Sequence, residues 1–184
     1  MSLRIYGNRL LKTLPGQETR PTTGKVRAAV FNIWQERLKE CRWLDLCTGS
    51  GAMGAEALAR GVAMVVGIEK SPKACSIILQ NWQAMAQPDQ KFRLLRGDVV
   101  KKLAQLGGEQ FDLIYFDPPY SSNLYTPVLD LIAQGQILRA GGELAVEHDP
   151  KLLMPGVKGF SICRQKNYGN TAITFFTQGT RGEL

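Results

Sequence analysis

From residue 42 onward, short strand-like runs alternate with helix-like runs, and this alternation limits the possible folds more than any other feature. Strand-like runs lie at 42–47, 63–68, 91–96, 111–116 and 142–147. Between them, apolar residues recur at helical spacing near 52–60, 71–86, 99–106 and 123–134. A chain patterned in this way builds a mostly parallel, doubly wound sheet through right-handed crossovers. Two more strands are expected at about 159–166 and 171–177, joined by a tight turn at Asn167-Tyr168-Gly169-Asn170. That closing hairpin would put one antiparallel strand in the sheet.

Upstream, residues 3–14 alternate loosely around Asn8, as in a short hairpin, and Pro15-Gly16 ends it. Val26, Ala29, Val30, Ile33, Trp34 and Leu38 then share one helical face, with Thr22 or Thr23 as the expected N-cap after Pro21. No internal repeat, low-complexity stretch or second globular domain is evident. The expected organisation is a hairpin-and-helix extension over 1–41, attached to an α/β domain over 42–184.

In an open α/β sheet, ligands bind outside the carboxyl ends of the strands. The first exit reads Asp45-Leu46-Cys47-Thr48-Gly49-Ser50-Gly51-Ala52-Met53-Gly54. Glycines at 49, 51 and 54 permit a sharp turn, close approach of a ligand and a tightly packed helix start. The second strand leaves at Glu69, 18 residues past Gly51, where a carboxylate can take both hydroxyls of a ribose. These two features suit a dinucleotide as well as S-adenosylmethionine. Asp45 and Asp98 separate the two. A carboxylate at Asp45, aimed at the mouth, suits an ammonium and a sulfonium but would repel a pyrophosphate. Asp98 can accept from an adenine amino group, with the Val99 N–H beside it. Taken one at a time, each acid could equally be a helix cap or a solvated loop residue. Three at successive strand exits favour S-adenosylmethionine, with Thr48, Gly49, Ser50 and Gly51 forming the cofactor loop.

The fourth strand leaves as Asp117-Pro118-Pro119-Tyr120. Two prolines remove two N–H donors, so the turn presents carbonyls. A carboxylate, a bare carbonyl and an aromatic ring suit a primary amine on a heteroaromatic base. Asp117 and the Pro118 carbonyl can each accept one N–H and point the lone pair at an incoming methyl. Tyr120 can stack on the base, worth roughly 1–3 kcal/mol.

DPPY after the fourth strand and DxxxGSGxxG after the first resemble the amino-methyltransferases of adenine N6 and guanine N2. Together, RPTTGKVRAAVFNIW, LDLCTGSGAMGAEALARG, IEKSP, GDV and FDPPY resemble the bacterial RsmD-type 16S rRNA guanine-N2 methyltransferases over nearly the full chain. The resemblance implies a Rossmann-like methyltransferase fold with strand order 3-2-1-4-5-7-6. It assigns Asp45, Gly49, Gly51, Glu69, Asp98 and Val99 to the cofactor, and Asp117, Pro118 and Tyr120 to the target amine. It also sets Arg20-Pro21-Thr22-Thr23 near the substrate entrance, with Arg20, Lys25 and Arg27 as phosphate contacts. The family often has Phe where this chain has Tyr120, and FAGSG where it has CTGSG.

The charge pattern agrees with a polyanionic partner. Residues 1–42 hold nine Lys/Arg against three Glu, which accounts for six of the net +7. Such a basic extension suits docking on RNA, although a solvated face would look the same. A 44% hydrophobic, 21% charged composition is ordinary for a globular protein. With no apolar run near the roughly 20 residues of a membrane span and no secretory leader, a cytoplasmic protein is expected. Cys41, Cys47, Cys75 and Cys163 form no CxxC pair and the single histidine is His148, so no metal site is expected. Cys47 lacks a visible base partner, and His148 is expected on the surface. Glu147, Tyr168 and Asn170 are lesser candidates for the target side.

Three other functions fit parts of the pattern. A DNA adenine-N6 methyltransferase would use the same DPPY chemistry, but reading a major groove asks for more protein than this chain carries. RNA recognised by shape and phosphates asks less. An NAD-dependent oxidoreductase has only the glycine loop and Glu69 in its favour. A non-catalytic RNA-binding module leaves Asp117 unexplained. The expected reaction is transfer of a methyl group from S-adenosylmethionine to the N2 amine of a guanine in small-subunit rRNA, by a monomer.

Overall fold

The computed structural model of the chain describes residues 2–13 and 24–178. A two-stranded antiparallel hairpin, β1 (Ser2–Ile5) and β2 (Arg9–Lys12), turns at Gly7 and Asn8, both at positive φ. Helix α1 (Gly24–Ile33) follows, and its expected N-cap at Thr22 or Thr23 lies outside the described residues. The helix stops earlier than its apolar spacing suggests, giving way to a 3-10 turn at Gln35–Arg37. The cause is tertiary. The Trp34 indole donates to the Glu143 carboxylate at 2.8 Å, and Arg37 pairs with the same carboxylate at 2.6 Å.

The α/β region then runs β3 (Arg42–Leu46), α2 (Ala52–Ala59), β4 (Met64–Glu69), α3 (Pro72–Met85), β5 (Lys91–Arg96), α4 (Val99–Ala104), β6 (Phe111–Phe116), α5 (Tyr125–Gln134), β7 (Leu138–His148), β8 (Phe160–Tyr168) and β9 (Thr171–Gln178). The strands form one seven-stranded sheet in the order β5-β4-β3-β6-β7-β9-β8. Counted from β3, this is the expected 3-2-1-4-5-7-6. Only β9 runs against its neighbours. The order reverses between β3 and β6, where a doubly wound sheet opens its ligand crevice.

Burial follows position in the sheet. Trp43 to Leu46 of central β3 are buried on both faces, whereas edge strand β5 alternates and edge strand β8 is largely exposed. Successive β3 residues point to opposite faces. Trp43 therefore joins a core with Phe31, Trp34, Trp82 and Phe175 beneath α1, α2 and α3. Leu44 and Leu46 join Phe116, Tyr125 and Leu129 beneath α4 and α5. Trp34 meets Trp43 and Phe175 edge-on at centroid distances of 5.4 and 5.6 Å. Each such pair adds about 1 kcal/mol beyond simple burial. Ile5 and Leu11 of the hairpin pack into the same core.

Two sequence expectations are corrected. Strand β7 begins four residues earlier than expected, at Leu138, because a register shift between Phe111 and Leu113 lets Leu138 pair with Phe111. His148 is not on the surface but fully buried at the end of β7. Its Nε2 lies 2.8 Å from Thr174 Oγ1 and its Nδ1 2.8 Å from the Asp149 carbonyl. Burial lowers its pKa, so the ring stays neutral.

Candidate active site

Three loops at the carboxyl edge of the sheet are hydrogen-bonded to the end of a neighbouring strand. Thr48 N–H donates to the Ile68 carbonyl at 3.1 Å, Gly97 N–H to the Glu69 carbonyl at 2.9 Å, and Asp117 N–H to the Leu46 carbonyl at 3.3 Å. The glycine-rich loop, Glu69, the Gly97-Asp98 exit and the Asp-Pro-Pro-Tyr turn are thus joined in sequence across β5, β4, β3 and β6. One mouth holds them all.

Asp45 shares the Trp43 face of β3 and is 2% exposed. Its Oδ2 accepts the Gly54 N–H at 3.1 Å, anchoring the first turn of α2. Burial, reinforced by the Glu69 charge and opposed by the Gly54 hydrogen bond, pushes its pKa from the ordinary 3.8 up to about 8. Glu69 is held differently. Its Oε2 accepts the Gly49 N–H at 2.9 Å and its Oε1 the Ser71 N–H at 2.8 Å. Each oxygen keeps a lone pair for a further donor such as a ribose hydroxyl. Between these acids Cys47 adopts a left-handed φ of 61°. Burial and the charges of Glu69, Asp117 and Asp45 push its thiol up to about 12. That excludes Cys47 as a neutral-pH nucleophile, and it sets Glu69, Asp117 and Asp45 around one point. Such a donor set fits a cationic ligand and disfavours a pyrophosphate.

The loop itself is braced from below. Gly51 has φ 77°, and a Cβ there would sit 3.0 Å from Ile78. A Cβ on Gly54 would come within 2.4 Å of Trp82. The Trp82 indole donates to the Gly51 carbonyl at 2.9 Å. Buried Asn81 donates to the carbonyls of Lys12 and Ser50 and accepts the Lys12 N–H, bonding the hairpin to the loop. Neither Trp82 nor Asn81 carried a sequence signal, since both read as ordinary positions of α3. Thr48, expected to touch the cofactor, instead shapes the loop. Its hydroxyl lies 3.0 Å from the Asp45 carbonyl and 3.1 Å from that of Ile68, and its N–H is already committed. Asp98 is exposed and caps α4, its Oδ1 accepting the Lys101 N–H at 3.0 Å; Val99 is the first residue of that helix.

On the target side, Pro118 is buried, Asp117 and Tyr120 are half-buried, and Pro119 faces solvent. The Tyr120 hydroxyl reaches Glu147 and Thr171, which brings the β7 exit and the start of β9 to the same spot. The closing turn is tighter than expected, because Tyr168 pairs with Thr171 and only Gly169 and Asn170 lie between the strands.

The expected phosphate contacts have separate fates. Lys25 is exposed on the first turn of α1, and Arg20 lies outside the described residues. Arg27 is corrected. It is 5% exposed, pairs with buried Glu56, and donates to the Arg4 carbonyl. A guanidinium so enclosed welds α1, α2 and β1 together and does not face a phosphate. No helix among the described residues is long and apolar enough to cross a membrane.

Among known proteins, YlbH of Bacillus subtilis, by name a candidate rRNA methyltransferase, is 31% identical over 91% of this chain and 92% of its own length. The ribosomal RNA small subunit methyltransferase D of Escherichia coli is 27% identical over 89% of this chain and 82% of its own. The solved structure of yhhF from Escherichia coli, described as a candidate methyltransferase, superposes with a TM-score of 0.83 at 27% identity, covering 97% of this chain and 98% of that one. Residues 3–177 match the family described as Conserved hypothetical protein 95, and the chain belongs to that family, the one that holds the RsmD-type methyltransferases.

Proposed function

We propose that this chain is a methyltransferase that uses S-adenosylmethionine to methylate the exocyclic N2 amine of a guanine in small-subunit ribosomal RNA. The observation that carries this is the 3.3 Å hydrogen bond from Asp117 to Leu46, which joins the Asp-Pro-Pro-Tyr turn to the strand feeding the glycine-rich loop. The relatives named as rRNA methyltransferases support RNA as the substrate. The three-acid mouth supports a cationic cofactor over NAD.

Glu69 would hold the ribose, Asp45 would face the positive end of the cofactor, and Asp98 with Val99 would meet its adenine. Gly49, Ser50 and Gly51 would line it with backbone. When bound, S-adenosylmethionine supplies an electrophilic methyl on a sulfonium. Asp117 and the Pro118 carbonyl accept the two N–H bonds of the target amine and bias its nitrogen toward tetrahedral geometry. Asp117, which holds that nitrogen, can also take the proton it must lose. Tyr120 stacks on the flipped base. Catalysis is then chiefly positioning and electrostatic stabilisation.

The basic segment 1–41 would dock the RNA. Arg4, Arg9, Lys12, Lys25 and Lys39 are its exposed cations among the described residues. We further propose a cytoplasmic monomer acting on small subunits or their assembly intermediates. The test is transfer of a tritiated methyl group to small-subunit particles from cells lacking the protein, followed by nucleoside analysis. N2-methylguanosine is the expected product. N6-methyladenine in DNA, with none in the particles, would replace this function with the DNA reaction.

A further inference from the structure

The ring of Tyr120 is held by more than its own turn. Its hydroxyl lies 3.1 Å from Glu147 Oε1 and 3.0 Å from Thr171 Oγ1. A phenol has one proton and cannot donate to both. The carboxylate can only accept, so Tyr120 donates to Glu147 and the Thr171 hydroxyl donates to the phenol oxygen. The second oxygen of Glu147 accepts from the Tyr115 hydroxyl. Burial pushes the Tyr120 phenol above its usual range, which keeps that donor protonated.

These partners are rigid and dry. Glu147, Tyr115 and Thr171 are 3, 1 and 2% exposed and belong to β7, β6 and β9. Tyr120 is the half-exposed member, carried by the turn that follows β6. Hydrogen bonds to a carboxyl oxygen in such dry surroundings are strong and directional. A side chain in a turn would otherwise sample several orientations. Here its outer end is fastened to two strands of the sheet, β7 through Glu147 and β9 through Thr171.

We propose that Glu147 is a positioning residue for methyl transfer: with Thr171 it locks the Tyr120 ring in the plane on which the target base stacks. Glu147 acts through Tyr120 and does not touch the substrate. The proposal rests on the function proposed above. It explains why a buried carboxylate sits behind the target turn, and it gives the closing hairpin a part in the site. Pre-setting the ring removes the cost of ordering it at each encounter.

The experiment compares the full-length chain with Tyr120→Phe, Glu147→Gln, Thr171→Val and the double variant Glu147→Gln/Tyr120→Phe. Tyrosine ring flips are followed by NMR with labelled tyrosine, and kcat and KM are measured on small-subunit particles. Expected are slow flips of Tyr120 in the parent and fast flips in Glu147→Gln. Glu147→Gln, Thr171→Val and Tyr120→Phe should each lose about three- to tenfold in kcat/KM for RNA, the scale of immobilising one side chain. Cofactor affinity should be unchanged, and the double variant should be no worse than Tyr120→Phe alone. If Glu147→Gln does not fold, Thr171→Val still tests the lock through both readouts and Tyr120→Phe through kcat/KM. Equal ring-flip rates in parent and variants would overturn the proposal. So would a loss from Glu147→Gln that persists undiminished in the Tyr120→Phe background, or one confined to melting temperature. A parent that transfers no methyl while its ring stays locked would overturn the proposed function, and the role of Glu147 with it.

Discussion

Replacing Asp45 with Asn should make the cofactor-free protein more stable and at the same time abolish its cofactor binding. Asn keeps an acceptor for the Gly54 N–H, so the start of α2 stays anchored, while the ionisable group is gone. In the folded chain the Asp45 pKa is raised from 3.8 to about 8. A carboxyl raised on folding adds stability that is fully present below its unfolded pKa and is lost as pH climbs through the folded one. Asp45 should therefore cost the parent stability progressively between pH 4 and 8 and nothing further above that. Each pH unit is worth about 1.4 kcal/mol, which caps the loss near 6 kcal/mol. Urea unfolding of parent and Asp45→Asn at intervals from pH 5 to 9, without cofactor, should show the variant gaining on the parent up to pH 8 and then levelling. Cofactor binding should run the other way. A cation beside Asp45 requires the carboxylate, so parent affinity should fall by up to about tenfold for each pH unit below 8. The variant should bind poorly throughout. A stability difference independent of pH would refute the buried-acid reasoning, and parent-like cofactor affinity in the variant would show that Asp45 does not face the cation.

Three further outcomes are expected. Asp117→Ala should lose about 10²-fold or more in methyl transfer, as for a lost transition-state contact, and bind cofactor normally by calorimetry; near-normal turnover would remove Asp117 from the chemistry. Arg27→Ala should lower stability by about 3 kcal/mol, at the low end for breaking a buried pair, because Arg60 still pairs with Glu56 at 2.9 Å; unchanged urea unfolding would contradict this. Lys25→Ala should reduce the dependence of log affinity on log salt by about one unit, whereas Arg27→Ala should leave that slope alone. Identical slopes in parent and Lys25→Ala would make Lys25 a solvated charge.

Much of this architecture was legible because its signals are local. The alternation of strand and helix runs from residue 42 sets a mostly parallel, doubly wound sheet. The glycines at 49, 51 and 54 and the paired prolines at 118 and 119 write backbone geometry directly into residue type. Side chains whose role depends on a distant partner were misread or missed. Arg27 looked like one more cation of a basic segment until Glu56, on another helix, enclosed it. His148 looked polar and peripheral, yet Thr174 satisfies it in the interior. Thr48 sits within the cofactor loop, but its hydroxyl faces strand carbonyls. Asn81 and Trp82 had no motif at all, because what they brace lies 31 residues away.

By itself, then, the sequence determined the periodicities, the turn chemistry and the order of acids at successive strand exits, since each depends on neighbours a few bonds apart. Only the tertiary structure decided which charges are buried, which hydroxyls are spent on backbone, and how Glu147 and Thr171 reach Tyr120 from strands far along the chain. The physical reason is that solvation and hydrogen-bond pairing belong to a place in space. Two carboxylates alike in sequence, Asp45 and Asp98, become a buried acid with a raised pKa and an exposed helix cap only once the sheet has closed around one of them.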